Sequence, residues 1–352
     1  MDIPVISYNM SVFSAKGEMP TFASEYSFLV GRAVKHESGS FDFFINALKH
    51  LASQVEKINA KVIGIQEYEI KKSSIKDLIM NTLKEKNTNF KCHEFSKEIK
   101  NDAAVLTIWD ESVLGERDSY YDADLGLTKE GGNLVTGLLP NDEGRPISII
   151  KTKKGYVLIN FHGINRPKYN PDGDEIGKDN SDLLKKLIQI RVEEAKATIG
   201  EIDPNKTIMM CDSNDREHKF NRETPLIIEG AQFSDGRDAN DKSAISCCYN
   251  WDSVGIPKSK GKISLERDGA ESNYKYTGDY VLAVNFTKSV TAVPSPQDDL
   301  GASIASDHKL VYAVVSVSAA GGRRRKTRRR IHRLKRKAQT KKQGKRQKKY
   351  SK

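Results

Sequence analysis

Four apolar runs of this chain end in side chains able to bind a metal ion or a phosphate, and a fifth is preceded by a pair of them. Asn9 closes Pro4 to Asn9, Glu67 follows Val62 to Gln66, and His162 follows Tyr156 to Phe161. Asp212 and Asn214 come after Thr207 to Met210, and Asp307 with His308 stands just ahead of Leu310 to Val317. One such ending is ordinary, because polar residues terminate strands and make turns. Five in succession say more. If the strands lie side by side, one rim collects three carboxylates, two imidazoles and two carboxamides in a single cleft. Glu67 and Asp307 suit a hard, oxygen-seeking cation that keeps waters and completes its shell with substrate.

Each residue also has a plain structural use. Asp-Ser-Asn at 212–214 makes an Asx-type turn in most loops, and Asp307 caps a turn as readily as it binds metal. Asn9 and Asp279 suit many strand-end roles, and His36, His50, His93, His218 and His332 show that histidine is not reserved for a site.

Positioning such a rim takes strands with helices between them. The apolar residues at 41, 44, 45, 48, 51, 55 and 58 recur at helical spacing behind Ser40, a natural N-cap, and predict a helix from Phe41 to Ile58. Further helices are expected at Ser74 to Lys86 and Ser181 to Ile199. Strands are expected at Ala103 to Trp109, Asn133 to Leu139, Ile147 to Ile150, Tyr156 to Phe161, Thr207 to Met210, Tyr280 to Phe286 and Leu310 to Val317. The Asp/Asn/Gly-rich stretches Gly115 to Gly132 and Arg166 to Asn180 read as surface loops. The pattern predicts an α/β sandwich with sheets face to face and helices outside.

Taken in order, Ser7-Tyr8-Asn9, Ile65-Gln66-Glu67, Asn160-Phe161-His162, Cys211-Asp212-Ser213-Asn214, Gly278-Asp279-Tyr280 and Ser306-Asp307-His308 resemble the successive motifs of the endonuclease/exonuclease/phosphatase superfamily. The resemblance spans Asn9 to His308. It implies a four-layer α/β sandwich, two mixed β-sheets between helices, that hydrolyses phosphoesters with a divalent metal, usually Mg2+, with Mn2+ as a substitute. By that resemblance Glu67, Asp307 and Asn9 hold the metal. Asp212 orients or deprotonates the attacking water, and Asn214 keeps phosphate and water in line. His308, its ring fixed by Asp279, stabilises the phosphate, and His162 hydrogen-bonds the scissile phosphate or protonates the leaving group.

The sequence departs from the family pattern in places. Cys211 replaces the usual glycine before the aspartate, and Ser11 stands where many DNA-repair members carry an acid, so a metal shell thinner by one carboxylate is expected. Asp212-Ser213-Asn214-Asp215-Arg216 has the Asp-x-Asn-x-Arg form of inositol polyphosphate phosphatases and tyrosyl-DNA phosphodiesterases. Tyr280, however, replaces the arginine both place after the later aspartate.

Charge divides the chain. Its 352 residues are 37% hydrophobic and 30% charged, with a mean hydropathy of −0.59, which fits a polar globular protein rather than a fibrous or membrane-spanning one. The formal charge is +11, yet Arg323 to Lys352 holds 18 of the 58 Lys and Arg and no acid. The remainder is therefore −7. Residues 1–318 are expected to be the catalytic domain and 319–352 a disordered basic tail. Arg323, Arg324, Arg325, Arg328, Arg329 and Arg330 make a polyanion-binding or nuclear-address arm, which gives nucleic-acid affinity without base preference. In composition it is similar to basic C-termini on proteins of large DNA viruses. Four scattered cysteines exclude a disulfide scaffold and, lacking paired spacing, a structural zinc site.

No basic, then apolar N-terminal stretch marks secretion, so an intracellular, nucleus- or nucleic-acid-associated monomer is expected. The reading is a Mg2+-dependent phosphodiesterase acting on nucleic acid, DNA first. Its rivals are a phosphatase of the same fold acting on a phosphoinositide or other small phosphoester, and a catalytically inactive nucleic-acid-binding or packaging protein.

Overall fold

Apolar side chains alternating with a period of two build two sheets that share an inner layer. The computed structural model describes residues 1–10, 41–69, 73–97, 103–125, 145–164, 181–214, 228, 231–237, 245–249, 274–295, 306 and 308–317. The first sheet runs β12-β13-β1-β2-β4-β3. Its strands are β1 (Asp2–Asn9), β2 (Val62–Glu69), β3 (Phe90–Glu94), β4 (Ala103–Asp110), β12 (Phe286–Ala292) and β13 (Val311–Ser316). The second runs β11-β8-β7-β6-β5, from β5 (Arg117–Asp124), β6 (Pro146–Thr152), β7 (Val157–His162), β8 (Thr207–Asp212) and β11 (Asp279–Leu282). A short pair, β9 (Cys247–Tyr249) and β10 (Tyr274–Tyr276), stands apart.

Alternation decides which side chains meet. In β1, β2 and β4 the residues Ile6, Tyr8, Ile63, Ile65, Leu106 and Ile108 face outward onto two helices, α1 (Phe41–Ile58) and α2 (Ser73–Lys84). The α1 stripe Leu48, Leu51, Ala52 and Val55 is buried there while Ser53, Glu56 and Lys57 stay exposed, so the helical spacing reports the packed face. On the second sheet Val157, Ile159, Phe161, Met209 and Cys211 pack under a long helix, α4 (Ser181–Ile199), through Leu184, Leu187, Ile188, Val192 and Ala195. A single-turn helix, α3 (Glu111–Leu114), capped by the Asp110 side chain, completes the described α-helices, and a 3-10 turn at Pro204–Lys206 leads into β8. The layers are thus helix, sheet, sheet, helix, as expected.

Both sheets are mixed. All strand pairs in them are antiparallel except β1 with β2 and β7 with β8. Parallel neighbours need a crossover, and α1 and α4 lie in the two connections. At one edge of the sandwich His93 of β3 reaches Asp122 of β5 at 3.0 Å, and Ser148 and Ser96 also donate to that carboxylate.

Three expectations need correction. Gly115 to Gly132 is not all loop, since Arg117–Asp124 is an edge strand whose mostly exposed first half hides the alternation. Tyr280 to Phe286 is not one strand, because β11 belongs to the second sheet and β12 to the first, and the chain crosses at 283–285. Phe90–Glu94 is an additional strand. The expected strand Asn133 to Leu139, the loop Arg166 to Asn180, Ser11, Asp307 and the tail from 319 lie outside the described residues.

Candidate active site

The two parallel pairs lie face to face, and their carboxyl ends open on the same side. That is where open α/β sheets bind ligands. From the first sheet come Asn9 and Glu67, and from the second His162 and Asp212, whose backbones are register partners. Asp279, at the start of antiparallel β11, is the partner of Asp212 on its other side. His308 approaches on the segment leading into β13.

Asn9 is the hub. Its Nδ2 donates to Glu67 Oε1 at 3.1 Å and to Asp212 Oδ2 at 3.0 Å, and lies 3.5 Å from His308 Nε2. A metal-ligand role would use Oδ1, whereas the atom turned to the carboxylates is the donor nitrogen. His162 Nε2 stands 3.8 Å from Glu67 Oε1 and 3.7 Å from Asp212 Oδ2. Glu67, His162 and Asp212 offer three ligand atoms within 4.8 Å of one another, as do Asp212, Asp279 and His308. Two carboxylates sharing one amide donor, with an imidazole beside them, are a candidate donor set for a divalent cation.

Burial sets the electrostatics. Asp212 and Asp279 are almost fully buried, and burial pushes the Asp212 carboxyl above its ordinary range, with His308 opposing and Asp279 reinforcing the shift. Burial likewise holds His162 well below the usual imidazole range, with the positive charge of Arg145 and then His308 adding to it. His308 Nδ1 lies 3.0 Å from Asp279 Oδ2, which fixes the ring and turns Nε2 toward Asp212 at 3.8 Å. Behind the site, burial raises the Cys211 thiol well above its ordinary value and leaves it an inert packing group.

The backbone at the site is unusual at two positions. Asn214 is left-handed, φ 55°, and closes an Asx turn in which its N–H donates to Asp212 Oδ1 at 2.9 Å. Its Nδ2 donates to Gly163 O at 2.9 Å, which ties the Asp212 turn to the end of β7. Glu67 is left-handed too, φ 53°. Pairing of β2 with β4 slips between Ile65 and Tyr68, where two residues of β2 face one of β4, a β-bulge. A regular strand would send Gln66 inward and Glu67 out among Ile63 and Ile65. The bulge turns Glu67 to the rim instead.

Of the residues singled out in the sequence, the structure brings together Asn9, Glu67, His162, Asp212, Asp279 and His308. Asn214 lies beside them, held by Gly163 O and by the turn it closes on Asp212. Asp307 and the tail arginines lie outside the described residues. Three participants were not anticipated. Arg145, just ahead of β6, places Nη1 2.9 Å from His162 Nε2 and 3.2 Å from Nδ1. Ser246 donates to Asp279 Oδ2 at 2.6 Å and its carbonyl accepts from Lys309 N–H, tying Asp279 to the His308 segment. Ser306 donates to the Asn9 carbonyl at 2.7 Å and accepts from His308 N–H. Nothing in the sequence separates Arg145 and Ser246 from the other cations and serines, whereas Ser306 stands in the Ser306-Asp307-His308 motif with no role assigned to it. Gly163 also matters, because a Cβ there would sit 2.2 Å from Ser213 O.

Among solved structures, an endonuclease/exonuclease/phosphatase family protein from Bacteroides thetaiotaomicron superposes with a TM-score of 0.50 over 91% of this chain and 99% of that one, at 15% identity. The chain has the endonuclease/exonuclease/phosphatase fold. Also similar are TDP2 of D. rerio complexed with single strand DNA product (TM-score 0.46, 13% identity, 89% and 98% covered) and the mannosyl-6-phosphatase Bt3783 of B. thetaiotaomicron (0.48, 15%, 89% and 100%). No protein-family model and no curated protein sequence matches the chain. Among the described residues no helix is long and apolar enough to cross a membrane.

Proposed function

We propose that this chain is an enzyme of the endonuclease/exonuclease/phosphatase superfamily, a divalent-metal-dependent phosphoesterase that cleaves phosphodiester bonds in nucleic acid, DNA first. The observation that carries the reading is the convergence of Asn9, Glu67, His162 and Asp212 from the carboxyl ends of two parallel strand pairs, with His308 held against them by Asp279.

Glu67 and Asp212 would hold the cation, Mg2+ by oxygen preference with Mn2+ as a substitute. When bound, the metal polarises the phosphoryl oxygens and steadies the leaving oxygen. Asp212 Oδ1 is fixed by the Asn214 N–H and Oδ2 by Asn9, so the carboxylate is aimed to orient an attacking water and take its proton. His308, restrained through Nδ1, presents Nε2 as a donor to a phosphate oxygen. Burial keeps His162 neutral, so its part is hydrogen bonding to the scissile ester, and Arg145 beside it supplies the positive charge that a phosphodiester monoanion, and more strongly its dianionic pentavalent transition state, attracts. Water oxygen bonds to phosphorus as its proton passes to Asp212, the ester P–O bond breaks, and the leaving oxygen takes up a proton from solvent water.

The nucleic-acid part of the reading is supported by the tail. Eighteen cations after residue 322 release counterions in proportion to the phosphates they neutralise, which suits a long polyanion better than a small phosphoester. Residues 1–318 are the catalytic body in this reading and 319–352 its substrate-holding arm. The test is hydrolysis by the full chain, with Mg2+ and with chelator, of single-stranded, duplex and abasic DNA, RNA and soluble inositol phosphates in parallel. Turnover confined to inositol phosphates refutes the nucleic-acid reading, and no metal-dependent turnover on any substrate refutes the enzyme.

A further inference from the structure

We infer that Asn160 is a positioning residue for Glu67: its carboxamide, delivered across the sandwich from the second sheet, holds the β-bulge that turns Glu67 toward the site. The inference rests on the reading of Glu67 as a metal-site carboxylate.

Asn160 is on β7, two residues before His162 and on the same inner face, and is fully buried. Its Nδ2 reaches three acceptors on the facing sheet: Ile65 O at 3.3 Å, Leu106 O at 3.1 Å and Thr107 Oγ1 at 3.2 Å. Ile65 and Leu106 are the last register partners before the β2–β4 pairing slips. Asn160 Oδ1 accepts from Gln66 Nε2 at 2.7 Å, and Gln66 is the first residue of the bulge itself. Gln66 Nε2 also donates to Ser7 Oγ at 3.2 Å, linking the bulge to the strand that carries Asn9.

The two sheets can bring these groups together only where side chains are small. At Gly64 a Cβ would meet Met210 Cβ at 2.6 Å and Asn160 Oδ1 at 3.2 Å. One amide therefore grips both sides of the bulge from outside its sheet. A left-handed, non-glycine residue costs about 1–3 kcal/mol and persists only when its surroundings over-determine it. Asn160 is such a determinant. Without it, β2 is free to return to regular alternation, which swings Glu67 to the outer, apolar face and leaves Asp212 as the remaining carboxylate of its metal group. The same side chain also fixes the spacing of Glu67 from His162, because it stands on the strand that ends in His162.

The test uses the full chain and four proteins: wild type, Asn160→Leu, which keeps the shape and removes the amide, Glu67→Gln, and the double variant. Mn2+ binding is measured by calorimetry, and amide exchange by mass spectrometry on peptides covering 62–69 and 157–162. Asn160→Leu is expected to weaken Mn2+ binding at least ~10-fold, as loss of a group that orients a ligand does. It should also raise exchange at 65–69 by a similar factor. In the Glu67→Gln background it should weaken binding no further, because the residue through which it acts is already gone.

A merely structural role would instead give additive losses. Thr107→Val, which removes one acceptor of the same amide, should shift exchange at 65–69 in the same direction and keeps the test open if Asn160→Leu does not fold. Unchanged exchange at 65–69 in the folded variants, or additivity in the double variant, overturns the inference. If wild type binds no Mn2+, the metal reading falls, and exchange, which needs no metal, still decides whether Asn160 holds the bulge.

Discussion

Gly163→Ala should disable the enzyme without touching any charged or titrating group. Gly163 follows His162, and its N–H donates to Asp212 O at 2.7 Å where β7 and β8 end side by side. A Cβ would lie 2.2 Å from Ser213 O and 2.5 Å from Ser213 C, both backbone atoms, so no rotamer change relieves the overlap. Restoring normal packing distance requires the strand ends to part by roughly 1 Å. The Gly163–Asp212 hydrogen bond is then broken at about 1 kcal/mol, and overpacking adds about 1–3 kcal/mol, for a total near 2–4 kcal/mol. Folding should survive that cost. Catalysis should not, because His162 and Asp212, 3.7 Å apart, each precede a displaced residue, and a 1 Å misplacement costs on the order of 10² in rate. Denaturant unfolding gives the stability, and Mg2+-dependent hydrolysis of a chromogenic phosphodiester gives the rate. A variant within a factor of ~3 of wild type in rate would refute the idea that the spacing of these strand ends controls the chemistry.

Asp212→Asn should lower kcat by at least ~10² with KM nearly unchanged, as expected for a group acting on the transition state. Because the folded Asp212 pKa lies above the unfolded value, burying its charge costs stability as pH rises through the folded value, so the metal-free Asn variant should be no less stable than wild type at neutral pH. For His162 the sign is opposite: its folded pKa lies well below 6.5, so the unfolded chain takes up the proton first as pH falls below that value. Wild type should then lose up to ~1.4 kcal/mol per pH unit relative to His162→Gln in chelator, and parallel stability curves for the two proteins would contradict this. Deleting Arg323 to Lys352 should leave the rate on a small phosphodiester unchanged while flattening the salt dependence of duplex binding by ~0.9 in log–log slope for each phosphate no longer neutralised; an unaltered slope would reassign the tail to an address role.

The sequence showed most of the rim because strand parity carries it. Asn9, His162 and Asp212 fall on the inner face by simple alternation from Val5, Leu158 and Ile208, so strands that could be read placed them correctly. Glu67 is the exception. Parity sends it outward, and only a slip in pairing, invisible in Val-Ile-Gly-Ile-Gln-Glu, brings it back. Edge strands were harder than central ones for a related reason. Arg117–Asp124 is half-solvated and therefore polar, while the central β7 and β8 are buried throughout. The run from Tyr280 to Phe286 hid a crossing between sheets, since the first four residues and the last are apolar or tolerant on either sheet. Arg145 acts through its place beside His162, and one cation among 58 Lys and Arg carries no mark of its neighbours.

β1 is flanked by β2 on one side and β13 on the other, with Asp2 facing Ser316. During synthesis β2 emerges early, and β13 is the last of the described strands to follow. At about 5–20 residues per second the opening strand waits roughly 15–60 s with one side unpaired. His308 and the Ser306 hydroxyl that holds the Asn9 carbonyl arrive in the same final stretch. The nascent chain is therefore without a finished rim until β13 docks, and the interval in which Asn9, Glu67 and Asp212 stand without His308 is set by the speed of synthesis.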